Sequence, residues 1–160
     1  FPASSTIVYE FPARGDMPPV RLTWHDGLRK PARPAELPQG EDLSSNGVLL
    51  IGEKGKLVDT GWASNSRLLP LSLMKEHESV PRTLPRSQGH HRDWVEACKG
   101  GKPSSSNFDY AGPLTEMVLL GNLAIRTGKR LEWDGPAMKV TNVPEANQYV
   151  RREYRKGWSL

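Results

Sequence analysis

The feature of this chain that most constrains its fold is the order of its secondary-structure patterns. Strand patterns come first, and helix patterns follow. Apolar and polar residues alternate in residues 6–11 and 20–25, and residues 47–51 and 56–58 flank a hairpin-type turn at 52–55. Strands joined by short turns pair antiparallel, and segregated strands and helices are typical of the α+β class. We therefore predict an open, mostly antiparallel β-sheet with helices packed on one face. The uncovered face favours a homo-oligomer formed through the sheet.

The second half of the chain carries the helix signals. A first helix is expected from about Gln88 to Lys99 with Ser87 as its N-cap, and its apolar face comprises His91, Trp94, Val95 and Cys98. A last helix is expected over residues 144–154.

Between them lies an almost wholly apolar helix. Pro113 suits the first helical position, and Gly128 suits the stop after Thr127. Because so few residues of this helix are polar, we expect protein to surround it.

Length and composition indicate one folded domain covering residues 1–160, with 25% charged and 36% hydrophobic residues. The net charge of +4 is local, since residues 126–160 carry eight Lys or Arg against four Asp or Glu. Such a tail is typical of a solvated helix face or of a phosphate- or nucleic-acid-binding surface. Tyr149 and Tyr154 are five residues apart, so at least one is expected to be buried, which argues against nucleic acid. No apolar run reaches the roughly 18 residues of a membrane span.

Several kinds of chemistry lack their sequence signatures. There is no Gly-x-Gly-x-x-Gly run for a dinucleotide, no Walker-type phosphate loop and no Gly-x-Ser-x-Gly elbow. Neighbouring residues on a helix point about 100° apart, so His90 and His91 are poorly placed to share a metal ion. Cys98 is the single cysteine and forms no internal disulfide. The sequence predicts no catalytic, cofactor-binding or metal-binding residue.

Five residues are candidates for contact with a substrate. Trp24 and His25 end a predicted strand, where they would offer stacking and hydrogen bonding, although Trp24 also suits a packing role. Arg67 lies in an irregular segment from which it would reach a substrate or a partner domain. His90 lies in a first helical turn, beside the positive end of the helix dipole, and suits a sugar hydroxyl or solvent. His91 suits either a substrate or a hydrogen-bonded core position.

The C-terminal third contains unusual sequence words. Residues 104–110 read Ser-Ser-Ser-Asn-Phe-Asp-Tyr, residues 142–147 read Asn-Val-Pro-Glu-Ala-Asn, and residues 154–158 read Tyr-Arg-Lys-Gly-Trp. These words resemble the C-terminal part of the Gfo/Idh/MocA oxidoreductases, the glucose–fructose oxidoreductase and inositol dehydrogenase family. The resemblance covers essentially the whole chain, and the words look structural rather than catalytic.

The resemblance implies a two-domain parent enzyme. Members have an N-terminal Rossmann domain that holds NAD or NADP and a second domain, with an open antiparallel sheet, that binds substrate and often builds the oligomer. Their catalytic lysine lies in a Glu-Lys-Pro motif of the Rossmann domain, and a partner Asp and His lie early in the second domain. This chain contains neither Glu-Lys-Pro nor Asp-x-x-x-His, so no catalytic residue carries over.

Residues 1–160 are thus expected to be the substrate-side and oligomerisation domain, shortened at its N-terminus and lacking its Rossmann domain. The implied parent is a NAD(P)-dependent oxidoreductase acting on a sugar, polyol or derivative, by oxidation, epimerisation or redox-assisted hydrolysis. This portion would be inactive alone. A cytoplasmic location is expected, with export left open. The alternative is a free-standing carbohydrate-binding or protein-interaction module with no redox role, which would present Trp24 or Trp62 on an exposed face.

Overall fold

The computed structural model describes residues 2–158, which fall into two compact units: the first is Ala3–Pro85, and the second comprises Pro2 and residues 86–158. The protein is α+β, with short antiparallel sheets and a few helices. The elements in chain order are β1 (Ser5–Phe11), β2 (Val20–Asp26), β3 (Val48–Ile51), β4 (Lys56–Asp59), β5 (Arg67–Leu69), α1 (Ser72–Glu76), α2 (His90–Cys98), α3 (Phe108–Thr127), β6 (Trp133–Asp134), β7 (Lys139–Val140) and a 3₁₀ helix (Pro144–Tyr149).

The first unit begins with the β1–β2 hairpin, which confirms the alternating pattern. Ile7 lies opposite Trp24, and Phe11 lies opposite Val20. Since alternate residues of a strand share a face, one face of the hairpin is apolar. Val20 and Trp24 on that face remain about half exposed. A two-stranded hairpin is only marginally stable alone, so this one needs further cover.

The hydrophobic core of the first unit lies beside a second sheet, whose strand order is β3-β4-β5. Leu69 is completely buried there, in a cluster with Leu37, Leu43 and Val58. The proline-rich segment that supplies two of these leucines is organised by Arg33. Its guanidinium donates hydrogen bonds of 2.7–3.1 Å to the backbone oxygens of Pro34, Leu37, Pro38 and Glu41. One arginine side chain thus orders this segment in place of regular secondary structure.

Two glycines allow close backbone approaches in the same unit. A Cβ atom at Gly47 would collide with the backbone oxygen of Asp59, at the end of β4. A Cβ atom at Gly27 would collide with the backbone oxygen of Ala3, and Gly27 also has a φ of 63°. Neither position accommodates a side chain.

The second unit has its own core, formed by Leu123, Val140, Val143 and Ala146. Two asparagine side chains tie its backbone together. Asn147 accepts a hydrogen bond from the Val140 N–H and donates to the Val140 and Pro144 oxygens. Asn142 accepts from the Glu132 N–H and donates to the Arg130 oxygen. These bonds explain why the word at residues 142–147 begins and ends with asparagine.

The structure corrects the expected single open sheet. The strands form three separate antiparallel sheets of two, three and two strands, because each group of strands pairs only within itself. The last helix is also shorter than expected, since a 3₁₀ helix over Pro144–Tyr149 replaces an α-helix over residues 144–154. The expected burial of at least one of Tyr149 and Tyr154 is wrong, because these residues are 39% and 44% exposed.

The long apolar helix starts earlier than expected. It begins at Phe108 because the side chain of Asn107 accepts hydrogen bonds from the N–H groups of Asp109 and Tyr110, which leaves Pro113 in the interior. Protein does not surround this helix, since Leu114, Val118 and Leu119 are 51%, 44% and 52% exposed. The expected stop at Gly128 is confirmed, with a φ of 62°.

The helix α2 differs from expectation in its cap and in its burial. Gly89 rather than Ser87 occupies the N-cap, because the Ser87 hydroxyl donates instead to the Asp93 carboxylate at 2.5 Å. The expected apolar face is not buried: His91 is exposed, and Trp94 is 64% exposed. No helix within residues 2–158 is both long and apolar enough to cross a membrane.

Candidate functional site

Trp24 and His25 lie at the end of β2 on opposite faces of the hairpin. Trp24 is paired with Ile7 and His25 with Thr6, and consecutive strand residues point to opposite sides. Trp24 is 47% exposed, and His25 is half-buried. The structure therefore does not bring the indole and the imidazole to one surface of the sheet.

His90 and His91 form the first turn of α2, where both are exposed. Their ring centroids lie 4.3 Å apart with the planes tilted by 47°. The exposure of His91 rules out the core role considered for it. Within residues 2–158, no group of three or more His, Cys, Asp or Glu side chains is placed to hold a metal ion.

Arg67 begins β5 and is held by an acidic partner. Its Nη2 lies 2.8 Å from the Glu41 carboxylate, and the Arg67 side chain is 25% exposed. The Arg67 Nε is buried and has no hydrogen-bond partner among the described residues. The strands β5 and β2 do not contact each other, so Arg67 on β5 is separate from Trp24 and His25 on β2.

The segment that precedes Arg67 has the most unusual backbone of the first unit. We call residues 60–66, between β4 and β5, the Trp62 loop. Trp62 and Ala63 are consecutive non-glycine residues with φ values of 61° and 52°. A left-handed conformation costs an L-residue about 1–2 kcal/mol, so surrounding contacts must hold it.

Those contacts come from the buried carboxylate of Asp59. Its Oδ1 accepts hydrogen bonds from the N–H groups of Gly61 at 2.7 Å and Ala63 at 3.2 Å, and its Oδ2 accepts from the Ser66 hydroxyl at 2.7 Å. The Ser66 hydroxyl and the backbone N–H groups hold the pKa of Asp59 below its usual value of 3.8, although burial acts in the opposite direction. Asp59 thus remains ionised at neutral pH and fixes both ends of the loop.

At the tip of this loop the Trp62 side chain is 92% exposed. Hydroxyl and amide groups flank it in sequence. The Asn65 Nδ2 lies 3.5 Å from the Thr60 Oγ1, and the Ser64 hydroxyl donates to the Gly61 oxygen at 2.9 Å. Residues 60–66 contain no charged side chain. The Trp62 loop presents a large aromatic side chain, and its polar side chains are all neutral.

The sequence did not single out this loop, although it contains a signal. Asp59 stands two residues before Gly61, and an aspartate in that position commonly bonds the backbone N–H groups that follow it. The predicted residues and the Trp62 loop also lie outside an open groove of about 490 Å³ beside α1. That groove is lined by four leucines and two glycines together with Glu53, Lys54, Lys56 and His77.

Neither a known protein-family model nor a curated protein matches this chain. A functional assignment therefore depends on its own residues.

Proposed function

We propose that this chain is the substrate-side, oligomer-forming portion of a NAD(P)-dependent oxidoreductase of the Gfo/Idh/MocA type, acting on a sugar, polyol or derivative. The words at residues 104–110, 142–147 and 154–158 are the basis for the family. Their local roles support it, since Asn107 caps α3, Asn147 ties β7 to the 3₁₀ helix, and Asn142 bonds the backbone at Glu132, just before β6. In the intact parent a Rossmann domain would supply the cofactor and the catalytic lysine.

The observation that carries the proposal of a larger assembly is the amount of uncovered surface. The chain exposes 13645 Å². Two compact proteins of half its mass would together expose about 9,600 Å². Large apolar residues are among those exposed, including Val20 and Trp24 of the β1–β2 face and Leu114, Val118 and Leu119 of α3. An apolar face that its own unit leaves exposed is typical of contact with other domains or subunits.

This portion would supply the wall of the substrate pocket and the oligomer surface, while the hydride moves between a carbinol carbon and the nicotinamide held elsewhere. The chain itself would bind no dinucleotide and catalyse no turnover. We expect a homo-oligomer formed through the exposed β1–β2 face and a cytoplasmic parent.

The test is to read the gene upstream of Phe1 and express the whole reading frame. We expect it to encode Gly-x-Gly-x-x-Gly, Glu-Lys-Pro and Asp-x-x-x-His, and the purified product to bind NAD or NADP and reduce it with a sugar or polyol. The 160-residue chain is the matched control and should bind neither cofactor. A whole protein that lacks those motifs, or that binds neither nicotinamide, would overturn the proposal.

A further inference from the structure

We propose that Trp62 is a stacking platform for the ring of a neutral sugar or polyol. The first support is conformational. Trp62 and Ala63 adopt left-handed backbone, and three hydrogen bonds to Asp59 maintain it. A strained backbone at a fixed loop is an indicator of function because structure elsewhere must maintain it. Here its result is an indole that is 92% exposed on a loop whose base is fixed.

The second support is the chemistry around the indole. The face of an aromatic ring is electron-rich and attracts C–H groups that carry partial positive charge. A pyranose or cyclitol ring presents such C–H groups on its faces and hydroxyls on its edge. Thr60, Ser64 and Asn65 offer donors and acceptors for those hydroxyls on the same loop. An aromatic platform beside neutral polar groups matches a ligand that is both apolar on its face and rich in hydroxyls.

Other classes of partner fit less well. A phosphodiester chain needs cations, and residues 60–66 contain none, while the adjacent Arg67 is paired with Glu41 at 2.8 Å. An apolar protein surface needs a contiguous apolar patch, whereas the neighbours of Trp62 in the loop are Gly61 and Ala63. The composition of the loop therefore favours a small neutral ligand.

Trp62 would then be a substrate contact of the parent enzyme, and in that respect the inference rests on the proposed function. Trp62 is not among the five residues that the sequence predicts to contact a substrate. An exposed Trp62 is expected from the sequence only for the alternative, a free-standing carbohydrate-binding or protein-interaction module. Asp59 would be a positioning residue, because it acts on the ligand only through the backbone of the loop.

The experiment is a titration of the ¹⁵N-labelled 160-residue chain, followed through its tryptophan indole N–H signals. The Trp62 signal is assigned by its loss in W62F. The probes are methyl β-D-glucopyranoside, methyl β-D-galactopyranoside, methyl α-D-mannopyranoside and myo-inositol, each raised to about 100 mM, the range that detects a weak contact of a few kcal/mol. We expect a saturable shift of the Trp62 signal with at least one probe.

Variants separate the platform from the fold. W62A should weaken binding about tenfold or more, as loss of a stacking contact predicts, and W62F should weaken it less. W94A removes another exposed tryptophan and should leave binding unchanged. D59A should broaden and weaken the response, and D59N should restore it, because the asparagine keeps an oxygen for the Gly61 and Ala63 N–H groups. Far-UV circular dichroism checks that each variant is folded.

Three results would overturn the inference: no saturable Trp62 shift with any of the four probes, unchanged binding by folded W62A, or a larger Trp62 shift with oligo-dT than with the sugars. These results are distinct from failure of the proposed function. If the parent binds a nicotinamide and W62A leaves its sugar KM unchanged, the function stands and the site fails. If at least one of the four probes binds at Trp62 and the parent binds no nicotinamide, the site stands and the function fails.

Discussion

Asp59 ends β4 as a buried residue, 8% exposed, whose carboxylate accepts hydrogen bonds from three groups of the Trp62 loop. At the scale of single residues this is the main departure from what the sequence predicted. The five candidate residues were chosen for side-chain chemistry, whereas Asp59 acts on the backbone of its neighbours. Gly61 and Ser66, which bond to Asp59, lie close to it in the sequence. Which aspartate of the chain is buried depends on how the sheet packs, and the sequence around Asp59 does not indicate this. The hydrogen bonds of Asp59 join residues that are close in sequence, so a local pattern can indicate them. The burial of Asp59 depends on residues that are distant in sequence.

The lowered pKa of Asp59 predicts how stability depends on pH. In the unfolded chain Asp59 titrates near 3.8, and in the folded protein its pKa is lower, so folding favours the ionised form. The stabilisation is therefore present above about pH 4 and is lost as the pH falls through the folded pKa. We expect the free energy of unfolding, measured with urea from pH 7 to below pH 3, to decrease in that lower range. D59N should reduce this acid-dependent loss.

The control for that prediction is E145Q. The Lys129 ammonium lowers the pKa of Glu145 in the same direction through a hydrogen bond, but this pair lies on the surface, with side chains 56% and 58% exposed. Surface pairs contribute little, so E145Q should change the pH profile less than D59N. An equal change in the two variants would mean that the Asp59 bonds do not stabilise the loop.

At the scale of elements, local patterns predicted what local forces determine. Both hairpins were predicted because alternation and turn residues act within a dozen positions, and the end of α3 was predicted because Gly128 adopts φ = 62°. The start of α3 was predicted too late in the chain, because Pro113 suits the first helical position. The Asn107 side chain instead caps the helix earlier, where it accepts hydrogen bonds from two N–H groups. The division into three sheets was missed because pairing between distant strands leaves no periodic signal. The exposure of α2 and α3 was not predicted, because an apolar helix face in the sequence does not indicate which other surface packs against it.

The cap of α3 gives a prediction at this scale. N107A removes an acceptor from the Asp109 and Tyr110 N–H groups, which lie 3.0 and 3.3 Å from the Asn107 Oδ1. We expect a loss of about 1 kcal/mol in the free energy of unfolding, measured by thermal denaturation. N107D should restore most of it, since aspartate caps as well as asparagine.

A matched control is N122A, inside the same helix. Asn122 is exposed there, and alanine is the better helix former, so this variant should be neutral or slightly stabilising. A loss in N122A as large as that in N107A would show that the capping bonds are not the cause.

At the scale of the whole molecule, each unit has a small core of its own. Among residues 2–158, four buried side chains form the core of the first unit and four form that of the second. Such cores are modest for units of this length, and the uncovered apolar faces are large. The sequence did not predict this balance, since its length and composition are those of an ordinary globular domain and the apolar character of α3 predicted burial.

Leu69 is the position at which the small core of the first unit is most sensitive. Its side chain is completely buried among Leu37, Leu43 and Val58, so L69A removes apolar contacts and leaves a cavity. We expect the free energy of unfolding in urea to fall by about 2–5 kcal/mol. L84A is the control, because Leu84 is 83% exposed in the same unit and should change stability by less than about 0.5 kcal/mol. Similar losses in both variants would contradict the assigned core.

Gly47 and Gly27 bring a different consequence, for how this chain tolerates change. Both glycines are exposed to solvent, yet a Cβ atom at either one would meet a backbone oxygen. A rule that equates surface position with freedom to vary would rank them among the safest sites to alter, for a label, a crosslinker or a solubilising charge. The opposite ranking follows from the backbone that lies behind them. At Gly47 an introduced side chain would also displace the end of β4, which carries Asp59. A label at Gly47 would therefore disturb the conformation of the Trp62 loop without contacting that loop.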